Sequence, residues 1–120
     1  MVLDPEELLR DVIARFCRER FDLCCVVDRE RRLLGVLTRT DLLRAAELAA
    51  GMPAGGRDAM RVRQAMIANP LAIRVGDSTL VAAETLRDHG LKALPVVEDG
   101  GNLAGYVRVE RLMEVVLGKK

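Results

Sequence analysis

The clearest structural signal in the sequence is the run Leu33-Leu34-Gly35-Val36-Leu37-Thr38-Arg39-Thr40-Asp41-Leu42-Leu43. Its apolar first half is typical of a buried strand, and the apolar pattern resumes after Asp41 as in a helix. Thr38 and Asp41 stand at the junction, three residues apart. The run therefore predicts a strand that leads directly into a helix, with a hydroxyl and a carboxylate at the helix start.

Thr38 and Asp41 allow two interpretations. Their spacing is close to that of a capping box, which completes the hydrogen bonds of a helix end. The same groups can bind a ligand, because one carboxylate can accept from both hydroxyls of a ribose. The Thr hydroxyl and the free N–H groups of a helix start can face a phosphate. The two roles can coexist, and both stay open at this stage.

A shift of 70 positions aligns residues 8–47 with residues 78–117 without a gap. The apolar pattern agrees better than the identities do, and similar spacing of core positions indicates a duplicated fold. In the second copy Arg108 and Arg111 replace Thr38 and Asp41. The identical pairs are Val26/Val96, Val27/Val97, Leu33/Leu103, Gly35/Gly105 and Leu42/Leu112.

Each copy predicts a β-α-β-β-α order. In the first copy a helix is expected to open at Asp4-Pro5-Glu6-Glu7, because proline and acidic residues suit a helix start. In the second copy the helix is expected to begin at Gly76-Asp77-Ser78-Thr79 and to end at His89-Gly90, a left-handed cap. The strands are predicted at 22–28, 33–37, 71–75, 92–98 and 103–107, and the closing helices at 39–50 and 109–117.

The predicted organisation is a first repeat at 1–50, a linker at 51–60 and a second repeat at 61–120, which opens with a short helix near 61–67. Only Met1-Val2-Leu3 are available for the first strand of the first repeat. Its lead-in is therefore shortened or missing, as expected for a fragment of a longer protein. One repeat buries little apolar area alone, so we expect an α+β fold in which two repeats pack sheet against sheet about a pseudo-twofold axis. Such packing would leave a small-ligand cleft between the repeats.

Composition excludes several classes of protein. Hydrophobic residues make up 50% of the chain, aromatic residues 2%, and the net charge is +1. Few aromatic residues and dispersed basic ones argue against nucleic-acid binding. No apolar run approaches the ~20 residues of a membrane span and no secretory signal is visible, so we expect a cytoplasmic protein without direct membrane insertion.

The cysteines do not predict a reactive site. Cys24 and Cys25 are adjacent in a strand and point to opposite faces, and with Cys17 they lack metal-binding spacing. We therefore expect three buried, reduced thiols. The sequence also contains no evident nucleophile–base pair, metal cluster or Walker-type loop, so an enzyme is not expected and no catalytic cofactor or metal is assigned.

The chain resembles the tandem cystathionine-β-synthase (CBS) domain family, whose paired form is called a Bateman module. The first repeat matches at Gly35–Asp41 and departs at Cys25, where proline is usual; the second departs at Arg108 and Arg111. The other matching segments are Ala68-Asn69-Pro70 and His89-Gly90-Leu91-Lys92-Ala93-Leu94-Pro95-Val96-Val97-Glu98.

The resemblance implies an adenosyl ligand, AMP, ADP, ATP or S-adenosylmethionine, held at Thr38 and Asp41. It also implies that Lys92 contacts the ligand's phosphates, with an ordinary exposed lysine as the alternative. An adenine slot would be lined by Leu3, Leu23 and Cys24, for which simple core packing is an equal alternative. Arg108 and Arg111 offer no acceptor for a ribose. They are either a solvated pair balanced by Glu110 and Glu114 or contacts to an anion.

Two function classes follow. The first is a regulatory sensor in which an adenosyl ligand controls an attached or partner protein that the sequence does not identify. The second is a ligand-independent dimerisation module, since family members pair into homodimers through their helices. Residues that could form such an apolar helix face are Leu42, Leu43, Leu112, Val115 and Val116.

Overall fold

The computed structural model describes residues 1–118 and divides them into a first unit, Met1–Pro70, and a second unit that begins at Leu71. Each unit combines one small β-sheet with helices, which confirms the predicted α+β class. The elements of the first unit are β1 (Val2–Leu3), α1 (Leu9–Arg18), β2 (Cys24–Val27), β3 (Leu33–Leu37), α2 (Arg39–Ala50), α3 (Ala54–Ala59), α4 (Val62–Ala65) and β4 (Ile67–Ala68).

The sheet of the first unit has the order β1-β2-β3-β4. β1 runs parallel to β2, whereas β3 is antiparallel to both of its neighbours. Helices α1 and α2 add Val12 and Leu42 to a core that is almost closed to solvent, and Phe16 is half-buried against it. The strand at 33–37 and the helix at 39–50 have the bounds that the sequence predicts.

The second unit contains β5 (Ile73–Arg74), α5 (Thr79–His89), β6 (Ala93–Val97), β7 (Leu103–Arg108) and α6 (Val109–Val116). Its sheet has the order β5-β6-β7, with β5 parallel and β7 antiparallel to β6. The Ser78 hydroxyl accepts a hydrogen bond from the Val81 N–H at 3.2 Å. Gly90 ends α5 in the left-handed conformation with φ of 61°. Both predicted ends of this helix are therefore confirmed.

The two central hairpins have the same register. Val26 lies opposite Gly35 in the first unit, and Val96 lies opposite Gly105 in the second. Each hairpin also carries an irregularity at the same position, between Val26 and Val27 or between Val96 and Val97. Because a one-residue slip would turn every side chain to the other face, this agreement confirms that the two copies share one fold.

The start of the first helix was predicted too early. The Asp4 carboxylate accepts from the Glu6 N–H at 2.8 Å, and the Glu7 carboxylate accepts from the Asp4 N–H at 2.8 Å. These bonds close a turn, and Leu8 is extended with φ of −72° and ψ of 129°. The helix therefore begins at Leu9. The sequence missed this because a side-chain turn and a first helical turn prefer the same residues.

The segment after the first repeat packs in the first unit. The predicted linker at 51–60 contains helix α3, and Met60 and Val62 are buried in the first unit's core, 7% and 0% exposed. The Leu9 N–H donates to the Met60 carbonyl, and the Val62 N–H donates to the Glu7 carbonyl, both at 2.9 Å. β4 then adds to the edge of β3. The predicted bounds of the sequence repeats, 1–50 and 61–120, stay a prediction. In the structure, contacts between residues divide the chain into its two units after Pro70.

Candidate functional site

Thr38 and Asp41 form the junction between β3 and α2. Thr38 is extended, with φ of −101° and ψ of 174°, and occupies the position just before the helix. Its N–H and its hydroxyl both donate to Asp41 Oδ2, at 2.9 and 2.8 Å, and the Asp41 N–H donates back to the Thr38 hydroxyl at 3.3 Å. The capping interpretation is therefore confirmed, and it fixes the rotamer of the carboxylate.

The second oxygen of Asp41 has a different environment. Arg44 Nη1 lies 3.8 Å from Asp41 Oδ1, and the two side chains are 71% and 10% exposed, respectively. The sequence analysis did not single out Arg44, although its i,i+3 spacing on a helix is the signal that brings it to Asp41. Because Arg44 is exposed and the ion pair is long, it contributes little to stability. A ligand hydroxyl can therefore compete with Arg44 for this oxygen.

A cavity of about 140 Å³ lies beside Asp41 and Arg44 within the first unit, and Met60, Gln64 and Ala65 contribute to its wall. This volume is below the ~300 Å³ at which small-molecule pockets begin. The cavity can receive part of a ligand, such as a sugar ring, but not a whole nucleotide. The wall from 60–65 was not expected, because the sequence assigned those residues to the linker and the second repeat.

The outer side of this helix start is basic and aromatic. Arg39 Nη2 lies 3.7 Å from Asp22 Oδ1, and the Arg39 guanidinium stands over the Phe16 ring at 5.8 Å from its centre. Phe16 and Phe21 meet edge to face, with their ring centres 4.9 Å apart. These contacts hold the first turn of α2 against the end of α1.

The three residues predicted to line an adenine slot are buried. Leu3, Leu23 and Cys24 are 1%, 4% and 0% exposed. Leu3 pairs with Val26, and Cys24 lies opposite Leu37, directly before the Thr38 junction. Leu3 and Cys24 belong to the core of the first unit, as the packing alternative expects. Their contact with an adenine ring stays a prediction.

The cysteines divide into two kinds. Cys24 and Cys25 are buried, but Cys17 is exposed, so the prediction of three buried thiols is wrong for Cys17. Its position on α1 turns it away from the stripe that packs on the sheet. Burial raises the pKa of Cys24 from 9.0 to about 12, and burial also raises the pKa of Cys25. Both buried groups are therefore neutral thiols at physiological pH.

The corresponding junction of the second unit lacks the capping pair. Arg108 precedes α6 without a side-chain cap bond, and its guanidinium stands 6.0 Å from the centre of the Tyr106 ring. Arg111 donates to Glu114 at 3.2 Å, as the solvated-pair interpretation predicts. Lys92 is exposed, and its carbonyl accepts from the Val109 N–H at 2.9 Å, which places it beside the same junction. The roles of Lys92, Arg108 and Arg111 toward an anion stay predictions.

A larger apolar groove lies between α5 and α6, with a volume of about 520 Å³ and with Leu86, Leu91 and Val109 in its wall. The equivalent positions of the first unit are Phe16, Phe21 and Arg39. Phe16 and Phe21, whose rings meet edge to face, thus stand where the second unit has the smaller Leu86 and Leu91.

The predicted apolar helix face needs a correction. Leu42 and Leu112 are 3% and 7% exposed and belong to the cores, whereas Leu43 and Val115 are 62% and 43% exposed. The side chain of Val116 lies outside the described residues. The error arises because adjacent apolar residues on a helix point in different directions.

In the part of the chain that the structure describes, His, Cys, Asp and Glu form no group of three suited to a metal. None of the helices in this part is long and apolar enough to cross a membrane.

Comparison with known proteins defines the family. The sequence model of the CBS domain family matches residues 1–48 and again residues 62–118. The chain belongs to the CBS domain family and carries two tandem repeats, as the resemblance predicted.

Individual relatives agree with this assignment. The magnesium transporter MgtE of Enterococcus faecalis is 28% identical over 91 residues, which cover 76% of this chain and 18% of the transporter. The chain thus spans less than a fifth of that relative.

Solved structures show the same fold. CBSX2 in complex with AMP has a TM-score of 0.84 at 23% identity, covering 98% of this chain and 87% of CBSX2. The cytosolic domain of the Mg²⁺ channel MgtE in complex with ATP has a TM-score of 0.77 at 24% identity. The match covers 96% of this chain and 44% of the MgtE chain.

Proposed function

We propose that this chain is a regulatory module that binds an adenosyl nucleotide, AMP, ADP, ATP or S-adenosylmethionine, and controls an attached or partner protein. The observation that carries the proposal is the orientation of Asp41. Thr38 holds one carboxylate oxygen through two hydrogen bonds, and the other oxygen lies 3.8 Å from Nη1 of the exposed Arg44, beside a cavity. A fixed carboxylate that lines a cavity is suited to a ribose diol, because charge-assisted hydrogen bonds are stronger than neutral ones.

Two relatives support the choice of ligand. The solved structures of CBSX2 and of the MgtE cytosolic domain contain AMP and ATP, respectively. The match to a magnesium transporter makes a transport protein the first effector to test. Ligand binding can regulate an effector only if the module binds the ligand with different affinity in two states.

The decisive experiment compares AMP with 2′-deoxy-AMP by calorimetry, in the wild type and in Asp41→Asn. Loss of a hydrogen bond to a charged group costs about 1.5–3 kcal/mol, so the wild type is expected to bind 2′-deoxy-AMP at least about tenfold more weakly. In Asp41→Asn the difference between the two ligands should become clearly smaller than in the wild type, since the neutral hydrogen bonds that remain contribute only about 0.5–1.5 kcal/mol. ATP and S-adenosylmethionine are then titrated in the same way to define the ligand.

Ser78→Ala is the matched control. It removes the cap of α5, whose bond length of 3.2 Å resembles the 3.3 Å bond from Asp41 to Thr38, and it leaves the first unit unchanged. This variant should keep the wild-type preference for AMP. The sensor proposal fails if the wild type binds none of the adenosyl ligands, or if Asp41→Asn keeps the full discrimination.

A second candidate function is ligand-independent assembly, favoured by the open groove between α5 and α6. Met113 and Leu117 line it and are 54% and 72% exposed. A dimer in sedimentation experiments that Met113→Glu disrupts, and that no nucleotide changes, would support this class. Leu48→Glu in the first unit is the control, because Leu48 is similarly exposed at 65%. A monomer at all concentrations would exclude this function.

A further inference from the structure

A second cavity of the first unit lies between α1, the end of α2 and α3, and its volume is about 380 Å³. This three-helix cavity exceeds the ~300 Å³ at which small-molecule pockets begin, whereas the cavity beside Asp41 does not. All residues of its wall lie between positions 9 and 60, within the first unit. The cavity is therefore large enough for a small ligand of its own.

Alanine residues of α2 create the space. Ala46, Ala49 and Ala50 follow the spacing i, i+3 and i+4, so they share one side of the helix. A side chain that ends at Cβ leaves room between α2 and the apolar residues of α1. Leu9 and Met60, which are 2% and 7% exposed, form buried parts of the wall. The interior of the cavity is therefore apolar.

The charged part of the wall is exposed and mainly cationic. Arg10 Nη1 lies 3.9 Å from Asp58 Oδ1, and Arg10 Nε lies 3.8 Å from Asp11 Oδ1. Both distances are longer than a hydrogen bond. Among the residues that the structure describes, Arg57 forms no ion pair with a carboxylate. Two guanidinium groups thus share the wall with one carboxylate, and their N–H donors suit an anion.

The ends of the helices do not decide which charge the cavity prefers. The start of α1 at Leu9 and the end of α2 at Ala50 both border the cavity. The partial charges of a helix start and a helix end have opposite signs, so their effects oppose each other. The preference for an anion therefore depends on the two arginines.

The second repeat shows that the fold does not require a cation at this place. Leu80 stands at the position of Arg10 and is 65% exposed. The helix of the second unit thus begins at the equivalent residue without a charged side chain there. Arg10 is a feature of the first unit alone, as expected for a ligand contact that only one repeat provides.

We propose that the three-helix cavity binds a small organic acid. The apolar body of the ligand contacts Ile13, Met60 and the alanines, and its carboxylate accepts hydrogen bonds from Arg57 and Arg10. A planar guanidinium matches the geometry of a carboxylate with two parallel hydrogen bonds. This site is separate from the ribose acceptor at Asp41 and does not depend on nucleotide binding.

The test follows the methyl groups of isoleucine and methionine by NMR in the isotope-labelled 120-residue chain. Ile13 reports on the three-helix cavity, and Met113 reports on the groove between α5 and α6. Hexanoate is the probe, and it is expected to shift the Ile13 signal with a Kd of about 1 mM, as suits so small a ligand. The Met113 signal should stay unchanged. Hexylammonium, with the same chain and the opposite charge, should bind at least about fivefold more weakly.

Variants separate the anion contact from the apolar contact. Arg10→Gln combined with Arg57→Gln should weaken hexanoate binding at least about fivefold, the range of exposed ion pairs, and change hexanol binding less than about twofold. The matched control combines Arg18→Gln with Arg29→Gln, which removes the same charge from exposed residues outside the wall and should keep the hexanoate affinity. Ala46→Leu should abolish binding of both probes, because the larger side chain occupies the cavity.

Several results would overturn the proposal. One is the lack of a saturable Ile13 shift at about 10 mM hexanoate. Others are equal binding of hexylammonium and a loss in the Arg10/Arg57 variant no larger than in its control. Ile13 shifts that follow protein concentration without any probe would assign the cavity to a contact between two copies of the chain, and would overturn the ligand site as well.

Discussion

The Thr38 hydroxyl donates to Asp41 Oδ2 at 2.8 Å, and the Asp41 N–H donates to the Thr38 hydroxyl at 3.3 Å. This reciprocal pair completes the start of α2 and also fixes the acid that we propose as the ribose acceptor. Capping and binding therefore depend on one arrangement, and the two interpretations of the sequence motif are compatible.

Substitutions at this pair should be coupled. Thr38→Ala and Asp41→Ala are each expected to lower the free energy of unfolding by about 1 kcal/mol, since each removes a helix cap. The double variant should lose clearly less than the sum, because either single change already breaks the reciprocal bonds. Urea unfolding of the four proteins measures this coupling. Strict additivity would mean that the two residues act independently.

Lys92 is expected to act on phosphate and not on the nucleoside. Lys92→Ala should weaken ATP binding by about fivefold, the range of an exposed ion pair, and leave adenosine affinity unchanged. The effect on ATP should decrease at high salt, because salt screens exposed charges. Lys92→Arg is the control that keeps the charge. Equal losses for adenosine and ATP would remove Lys92 from the phosphate role.

The equivalent glycines should respond differently to alanine. Gly35→Ala is expected to cost about 1–3 kcal/mol of stability, because the new methyl group would meet the backbone of Ile67 and the Met66 side chain. Gly105→Ala should change stability by less than about 0.5 kcal/mol, since its Cβ has free space. Thermal unfolding of the two variants is the measurement. Similar losses in both would show that Gly105 is covered as Gly35 is.

The thiols should differ in reactivity. Cys17 is expected to react with a thiol reagent at pH 8 in the folded protein, whereas Cys24 and Cys25 should react only on unfolding, since both are buried and their pKa values are raised. Mass spectrometry of the labelled peptides distinguishes the sites. Rapid labelling of Cys24 in the native protein would contradict the burial of β2.

The pKa of Cys24 also predicts a pH dependence. The folded state keeps the Cys24 proton up to a pKa of about 12, whereas the unfolded thiol releases it near 9.0. The stability from this group is present in full below pH 9.0 and is lost as pH rises toward 12, with a slope of up to ~1.4 kcal/mol per pH unit. Unfolding at pH 8 to 10.5 should show a smaller decline in Cys24→Ala. An equal decline in both proteins would refute the assignment to Cys24.

The local features of this fold were predictable from the sequence. The spacing of apolar residues predicted β3 and α2. The pair His89-Gly90 predicted the left-handed cap of α5, and the common spacing of core positions predicted the duplication. The Thr38–Asp41 cap was predictable because its bonds join residues three apart, where spacing alone fixes the geometry.

Long-range packing decided the rest. The first unit's use of Met60 and Val62 depends on hydrogen bonds to residues more than fifty positions away, which no local pattern encodes. The exposure of Cys17 depends on which side of α1 meets the sheet. Gly35 and Gly105 match in the sequence repeat, and only the tertiary structure shows that Ile67 and Met66 crowd Gly35, whereas among the described residues a Cβ at Gly105 would meet nothing within 4 Å. The physical reason is that short-range hydrogen bonds and side-chain spacing follow from the order of residues, whereas contact between distant segments follows from the complete fold.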